Sequence, residues 1–342
     1  MSRRYILVGY FAFCFGLAVT LQAANWPSWR GDLAGSGIVK DNSVPLEWGN
    51  KKNIRWRVPL PDRGNSSPVI WGDKVFITQA IEADKRRSVM CFNKRTGVML
   101  WQNGLIYGKQ EKTHQTNPYC SGSPVTDGRV VIANYASAGV VAYDLEGEEL
   151  WRRDLGPQIH VWGNGTSPVL YDDVCIMYHG PGSGSMLYGL DKLSGRTIWK
   201  RSIEEKDDPK REDGFRGANG GVVGAFTTPI VIKAKSRPEI IISGANSLQA
   251  FNPVDGKDLW HCFGLNPLVY TSPVFDGNAV LSMGGYFGAS IAVKPGGKGD
   301  VTSKRLWRDP RSKKNRLGTP VILNDYAYFV NMSGFAECVD VK

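Results

Sequence analysis

Leu190-Asp191-Lys192-Leu193-Ser194-Gly195-Arg196-Thr197-Ile198-Trp199 reads as two β-strands joined by a tight turn. In such a turn the Asp hydrogen-bonds its own backbone, and the Gly supplies the positive φ that closes the hairpin into a bulge. The Trp falls on the outgoing strand, where burial removes roughly 150–250 Å² from water. The pattern recurs. Phe92-Asn93-Lys94-Arg95-Thr96-Gly97 leads to Trp101, and Phe251-Asn252-Pro253-Val254-Asp255-Gly256 leads to Trp260. A shorter form, Tyr143-Asp144-Leu145-Glu146-Gly147, leads to Trp151. With Trp56 and Trp307, the tryptophans are spaced by 45, 50, 48, 61 and 47 residues.

A second marker interleaves with the first. A (Gly/Ser/Thr)-(Ser/Thr)-Pro-(Val/Ile) element centres on Pro68, Pro124, Pro168, Pro229, Pro273 and Pro320, with gaps of 56, 44, 61, 44 and 47 residues. Two markers with one period define a repeat. Within each repeat, alternating strands such as Lys74–Thr78 and Asp325–Val330 follow a Gly- or Asn-containing turn. Four short strands per repeat, with no helical periodicity of useful length, predict an all-β propeller of four-stranded antiparallel blades. About six blades are expected here, and seven or eight in a complete form. Two residues before the third-strand Asp or Asn stand Cys91, Ala142, Gly189, Ala250 and Cys338. Their size predicts a tight site, with Cys serving as a small buried residue.

The ends read differently. Arg3-Arg4, the apolar run from Ile6 to Val19, and small residues at Ala23-Ala24 form the three parts of a secretory signal over 1–24. The domain is then 25–342, and no membrane-spanning segment is expected after cleavage, since the apolar run is shorter than the roughly 20 residues a span needs. The net charge of +10 falls by two to +8 on that removal. The basic runs Lys85-Arg86-Arg87 and Arg311–Arg316 are short, separate and free of aromatic residues. They predict solvated loops and exclude a nucleic-acid surface. Five cysteines remain after Cys14, an odd number without CxxC spacing, which points away from zinc or a disulfide framework. Asn53–Val58 reads as an outermost strand without inner strands before it, and the last hairpin stops at Lys342 before its Gly and Trp. The expectation is that further blades lie beyond; the alternative is that Asn53–Val58 completes the sixth blade.

Ala142 to Trp151, Gly189 to Trp199 and Ala250 to Trp260 follow Ala-x-Asp-x-x-Thr-Gly-x-x-x-Trp closely, and Trp26-Pro27-Ser28-Trp29-Arg30-Gly31 precedes them. In these features the chain resembles the pyrroloquinoline-quinone-like propeller repeats. That resemblance covers the mature chain and implies the fold, an exported protein and one of two roles. One is a noncatalytic scaffold that binds a protein or an envelope polymer, without a cofactor, in the periplasm or outside the cell. The other is a quinone-dependent alcohol or sugar dehydrogenase with pyrroloquinoline quinone, calcium, a catalytic Asp and often a vicinal cysteine pair. No two cysteines are adjacent in this sequence. The links leading into the inner strands hold few acids: Gln115–Tyr119, His160–Asn164, Arg216–Gly220, Asn266–Tyr270 and Lys314–Arg316. No catalytic or metal-ligating residue is therefore assigned, and the scaffold is favoured. Those links cross one face near the central channel, so Asn117, Tyr119, His160, Trp162, Asn164, Asn219, Tyr270, Asn315 and Arg316, with His114, are expected to form a polar-aromatic mouth. A loop His160 of this kind is expected to be dispensable for stability.

Overall fold

The computed structural model describes residues 25–39, 44–182, 184–215, 221–310 and 315–342. The leader over 1–24 and the candidate Asn219 lie outside the described residues. Six successive antiparallel sheets form the blades, each running in chain order from inner strand to outer. The first is Val69–Trp71, Lys74–Ile81, Arg86–Asn93 and Met99–Ile106; the second is Val125–Thr126, Val131–Asn134, Val140–Tyr143 and Glu149–Arg153. The third is Val169–Tyr171, Val174–His179, Met186–Asp191 and Thr197–Ser202. The fourth is Ile230–Lys233, Pro238–Ser243, Ser247–Phe251 and Asp258–Phe263, and the fifth Val274–Phe275, Val280–Met283, Ser290–Val293 and Trp307–Asp309. Val321–Leu323, Tyr326–Val330 and Ala336–Asp340 make a three-stranded sixth sheet.

The hairpin motif joins neighbouring blades. Asn93 and Asp191 Oδ1 accept the backbone N–H groups of their own turns at 2.8–3.2 Å. Each turn then presents its next carbonyl to the preceding tryptophan. Trp56 Nε1 donates to Lys94 O, Trp101 to Leu145 O, Trp151 to Lys192 O and Trp199 to Pro253 O, all at 2.9–3.1 Å. The hairpin glycines lie under those rings: a Cβ on Gly195 or Gly256 would sit 2.5 Å from Trp151 or Trp199. Glycine is thus required twice, for its φ of 69° or 66° and for the indole above it. The small residue two before the Asp is explained by register, because Cys91, Ala142, Gly189 and Ala250 pair directly across from Trp101, Trp151, Trp199 and Trp260.

The proline marker has its own role at the axis. Ser67 N–H donates to Ser123 Oγ, Ser123 to Ser167, Ser167 to Thr228 Oγ1, Thr228 to Ser272 and Ser272 to Thr319, at 2.8–3.1 Å. From Pro124 onward the hydroxyl before each proline therefore fixes the blade before it, and the sequence gaps of 56, 44, 61, 44 and 47 residues are the separations between bonded partners.

Four details depart from expectation. Asn53–Val58 belongs to no sheet, although Trp56 still docks on Gly97 as a blade tryptophan would. The fifth repeat replaces the Asp-x-x-Thr-Gly turn with Lys294-Pro295-Gly296-Gly297, so Trp260 turns to the buried Glu239 carboxylate at 2.8 Å. The excursion continues as Gly299–Asp300, a parallel fifth strand on the fourth sheet. Cys338, expected to be buried at its small-residue position, is exposed, while Cys262 lies in the outer strand of the fourth blade. Cys91, Cys120, Cys175 and Cys262 are buried free thiols. Burial pushes the first three up to about 12 and Cys262 to about 11, which keeps them protonated.

The lead-in segment crosses the ring. Trp26 bridges Ile70, Pro27 O accepts Thr126 N–H, and Leu33 O accepts Val231 N–H at 2.8 Å, which places one short segment against the first, second and fourth blades. Arg30 reaches the sixth, donating to Thr319 O at 3.2 Å and Pro320 O at 2.6 Å, and folds back on Gly35 O and Ser36 O. Burial lowers the Arg30 pKa, and four carbonyls share its charge.

Candidate functional site

On the side of the prolines away from this segment, a cavity of about 680 Å³ opens at the axis. Its wall comprises Asn65, His114, Thr116, Asn117, Trp162, Gly165, Phe215, Phe226, Tyr270, Tyr286, Leu317 and Met332. Five of these, Asn65, Gly165, Phe226, Tyr270 and Leu317, stand three residues before a marker proline. Blade pseudo-symmetry therefore brings them together. Gly224–Ala225 and Leu268–Val269 pair in parallel at equivalent positions of adjacent links, and Phe226 N–H continues the ladder to Val269 O. The residues that emerge from that ladder, Phe226 and Tyr270, stack with centroids 5.7 Å apart and planes at 7°.

Trp162 extends the stack, 6.1 Å from Tyr270 and tilted by 24°, and contacts Phe215 at 5.1 Å; Phe215 in turn meets Tyr286 at 5.5 Å. Aromatic planes from three blades thus form one continuous wall. Burial raises the Tyr270 pKa further above its ordinary value, so its hydroxyl is a neutral donor. No Asp, Glu, Lys or Arg lines the cavity among the described residues. The ion pair of Arg211 with Asp213, at 2.9 Å, is buried beside Phe215.

The expected site residues divide into groups. Asn117, Trp162, Tyr270 and His114 line the cavity. Asn117 has a positioning task as well, donating to Trp162 O at 2.7 Å and Asn164 O at 3.1 Å. His160 stands behind the wall, its Nδ1 accepting Trp162 N–H at 3.2 Å and its Nε2 3.1 Å from Val223 O, with its ring edge-on to Phe226. Burial lowers its pKa, so the neutral ring positions Trp162, and dispensability is not what this geometry supports. Tyr119 points elsewhere: Arg87 lies 4.1 Å above its ring, and its hydroxyl engages the Glu111 backbone. Asn164 borders a small separate cleft with Tyr119. Arg316 ties the fifth and sixth blades together through Asp309 at 2.7 Å and Glu337 at 3.3 Å, while Asn315 O accepts Met332 N–H. Phe215, Phe226 and Tyr286 were not anticipated. The offset of three from the proline identifies Phe226; no comparable signal marks the other two.

The implied quinone and calcium can be tested against this donor set. Calcium takes about six to eight hard oxygen ligands, carboxylates foremost. The wall supplies amides, hydroxyls and rings without a carboxylate, and no group of three His, Cys, Asp or Glu among the described residues is placed to hold a metal. These residues do not fit a calcium-held anionic quinone, and no redox step follows from them.

A family model described as outer membrane protein assembly factor BamB matches residues 50–225. No curated protein matches the chain by sequence. Among solved structures, BamB from Moraxella catarrhalis aligns with a TM-score of 0.51 and 17% identity over 82% of this chain and 76% of that one. A quinohemoprotein alcohol dehydrogenase from Pseudomonas putida aligns at 0.55 and 13%, over 85% and 48%. The quinohemoprotein alcohol dehydrogenase from Comamonas testosteroni aligns at 0.55 and 12%, over 94% and 53%. The chain spans about half the length of the two dehydrogenases. At these identities the likeness is one of fold.

Proposed function

Because the chain belongs to the pyrroloquinoline-quinone-like repeat family whose model is described as outer membrane protein assembly factor BamB, we propose that it is an exported, noncatalytic scaffold that binds a protein partner through its aromatic mouth. The observation that carries this reading is the composition of the cavity: about 680 Å³ walled by aromatic rings and amides, without a charged group among the described residues. His114 and the two tyrosines are the titratable groups of the wall, and no carboxylate or second histidine among the described lining residues partners them for proton transfer. Binding needs large, rigid apolar planes with a few polar tips, the composition of interface hot spots. The leader over 1–24, with its basic start and short apolar run, supports export, and no helix among the described residues is long and apolar enough to cross a membrane. A periplasmic location fits both.

Photo-crosslinking tests the reading. A benzoylphenylalanine placed at position 270 in the mouth is expected to give a discrete adduct in exporting cells. The same group at position 148, on the exposed outer hairpin of the second blade, is expected to give none. Adducts from 148 with none from 270 would place binding on the outer rim and remove the mouth from the mechanism.

A further inference from the structure

The chemistry of the mouth narrows the kind of partner segment that fits it, given the reading of the mouth as the binding face. Strand addition is not available beside Phe226 and Tyr270, where the link backbones are already paired with each other, Gly224–Ala225 with Leu268–Val269 and Phe226 N–H with Val269 O. Recognition at that pair therefore comes from side chains. The amide donors are also engaged, Asn117 on two carbonyls and Asn65 Nδ2 on Thr116 O at 2.9 Å. What remains is a set of donors on aromatic rings. Among the described residues, Trp162 Nε1 and the hydroxyls of Tyr270 and Tyr286 have no hydrogen-bond partner, and all three rings line the cavity. The planes of Trp162, Phe226 and Tyr270 lie within 30° of one another and form parallel ridges. Below them the lead-in crosses the axis, so a ligand lies across the mouth and does not thread through it.

Ridged aromatics with unpaired indole and phenol donors, and no charge among the described lining residues, are complementary to a chain rich in carbonyl acceptors and poor in N–H groups. Proline is the residue that supplies this. Its polyproline II conformation has a fully exposed backbone and little entropy left to lose on binding. We propose that the mouth takes an uncharged, proline-rich segment of a partner protein in the polyproline II conformation. The rings of Trp162, Phe226 and Tyr270 pack between its pyrrolidines. Trp162 Nε1 and the tyrosine hydroxyls donate to its carbonyls.

Calorimetric titration of the purified protein with a decaproline peptide, capped at both ends, tests this against a capped Ala-Ser decamer and cellohexaose. Saturable binding of decaproline alone is expected, and it should hold between about 0.05 and 0.5 M salt because no charge pair contributes. Trp162→Phe and Tyr270→Phe keep a ring in place while removing the donor. Each is expected to weaken binding about tenfold or more with an unchanged melting temperature. Decaproline binding no tighter than the decamer, or insensitive to both variants, would overturn the proposal. Cellohexaose binding lost in Trp162→Phe would overturn the peptide and leave the mouth as the site. Adducts only from position 148 in the crosslinking experiment would overturn the mouth itself.

Discussion

Gly189→Ala is the substitution that tests most sharply why each blade places a small residue across from its tryptophan. Gly189 pairs with Trp199, and a Cβ there would lie 2.2 Å from Cε2, 2.4 Å from Nε1 and 2.6 Å from Cζ2 of the indole. Trp199 has little room to retreat, because Gly256 lies under its other edge and its Nε1 bonds Pro253 O at 3.1 Å. Overpacking of this kind costs about 1–3 kcal/mol. Gly189 has an ordinary extended φ, so alanine also removes unfolded-chain entropy worth about 0.4–1 kcal/mol in the opposite direction. The net expectation is a loss of about 1–2 kcal/mol. In a Trp199→Leu background Cε2, Nε1 and Cζ2 are all absent, and the same alanine should be neutral or mildly stabilising. The coupling between the two sites is then at least about 1 kcal/mol. Trp199→Ala, by comparison, removes the whole ring and should cost about 3–5 kcal/mol. Urea titrations followed by far-UV circular dichroism give these differences. An equal penalty in both backgrounds, or a stabilising Gly189→Ala in the native background, would refute the pairing as the reason for the small residue.

Two further outcomes follow from the axis and the mouth. Ser167→Ala removes the acceptor of Ser123 N–H at 2.9 Å and leaves a buried donor unpaired, so it should lower the same urea-derived stability by about 1–3 kcal/mol, while Ser167→Thr should nearly restore it. His160 and His179 are both buried with lowered pKa values, chiefly through desolvation. The unfolded chain therefore binds their protons first, and stability should be complete above the unfolded value near 6.5 and fall as pH drops below it. His160→Asn should flatten part of that slope in urea midpoints measured from neutral to mildly acidic pH.

The blade pattern was readable because its causes are local. Asp191 or Asn93 must bond its own turn, Gly195 or Gly256 must take a positive φ, and a tryptophan follows at fixed spacing, so each repeat carries its own marker. The role of Ser67, Ser123, Ser167, Thr228, Ser272 and Thr319 was visible as a recurrence, but its meaning is a bond between repeats, which only the assembled ring supplies. The mouth was half legible for the same reason. Trp162 and Tyr270 stand in links whose place on the axis follows from blade order. Phe215 and Tyr286 reach the wall through a long link and an inner hairpin that share no repeat position. Tyr119 and Arg316 have the residue types of a binding site, yet Arg87 and the pair Asp309 and Glu337 hold them in structural roles. The fifth repeat carries no such marker, because its turn lacks the Asp, and the buried Glu239 takes over the tryptophan.

Binding without catalysis is tested most directly by adding pyrroloquinoline quinone and calcium to the purified protein, then measuring its melting temperature and its reduction of an artificial dye with alcohols and sugars. A wall without carboxylates among the described residues predicts no shift and no dye reduction. A saturable rise in melting temperature, with dye reduction that Trp162→Ala abolishes, would contradict the scaffold and place an enzyme at the mouth.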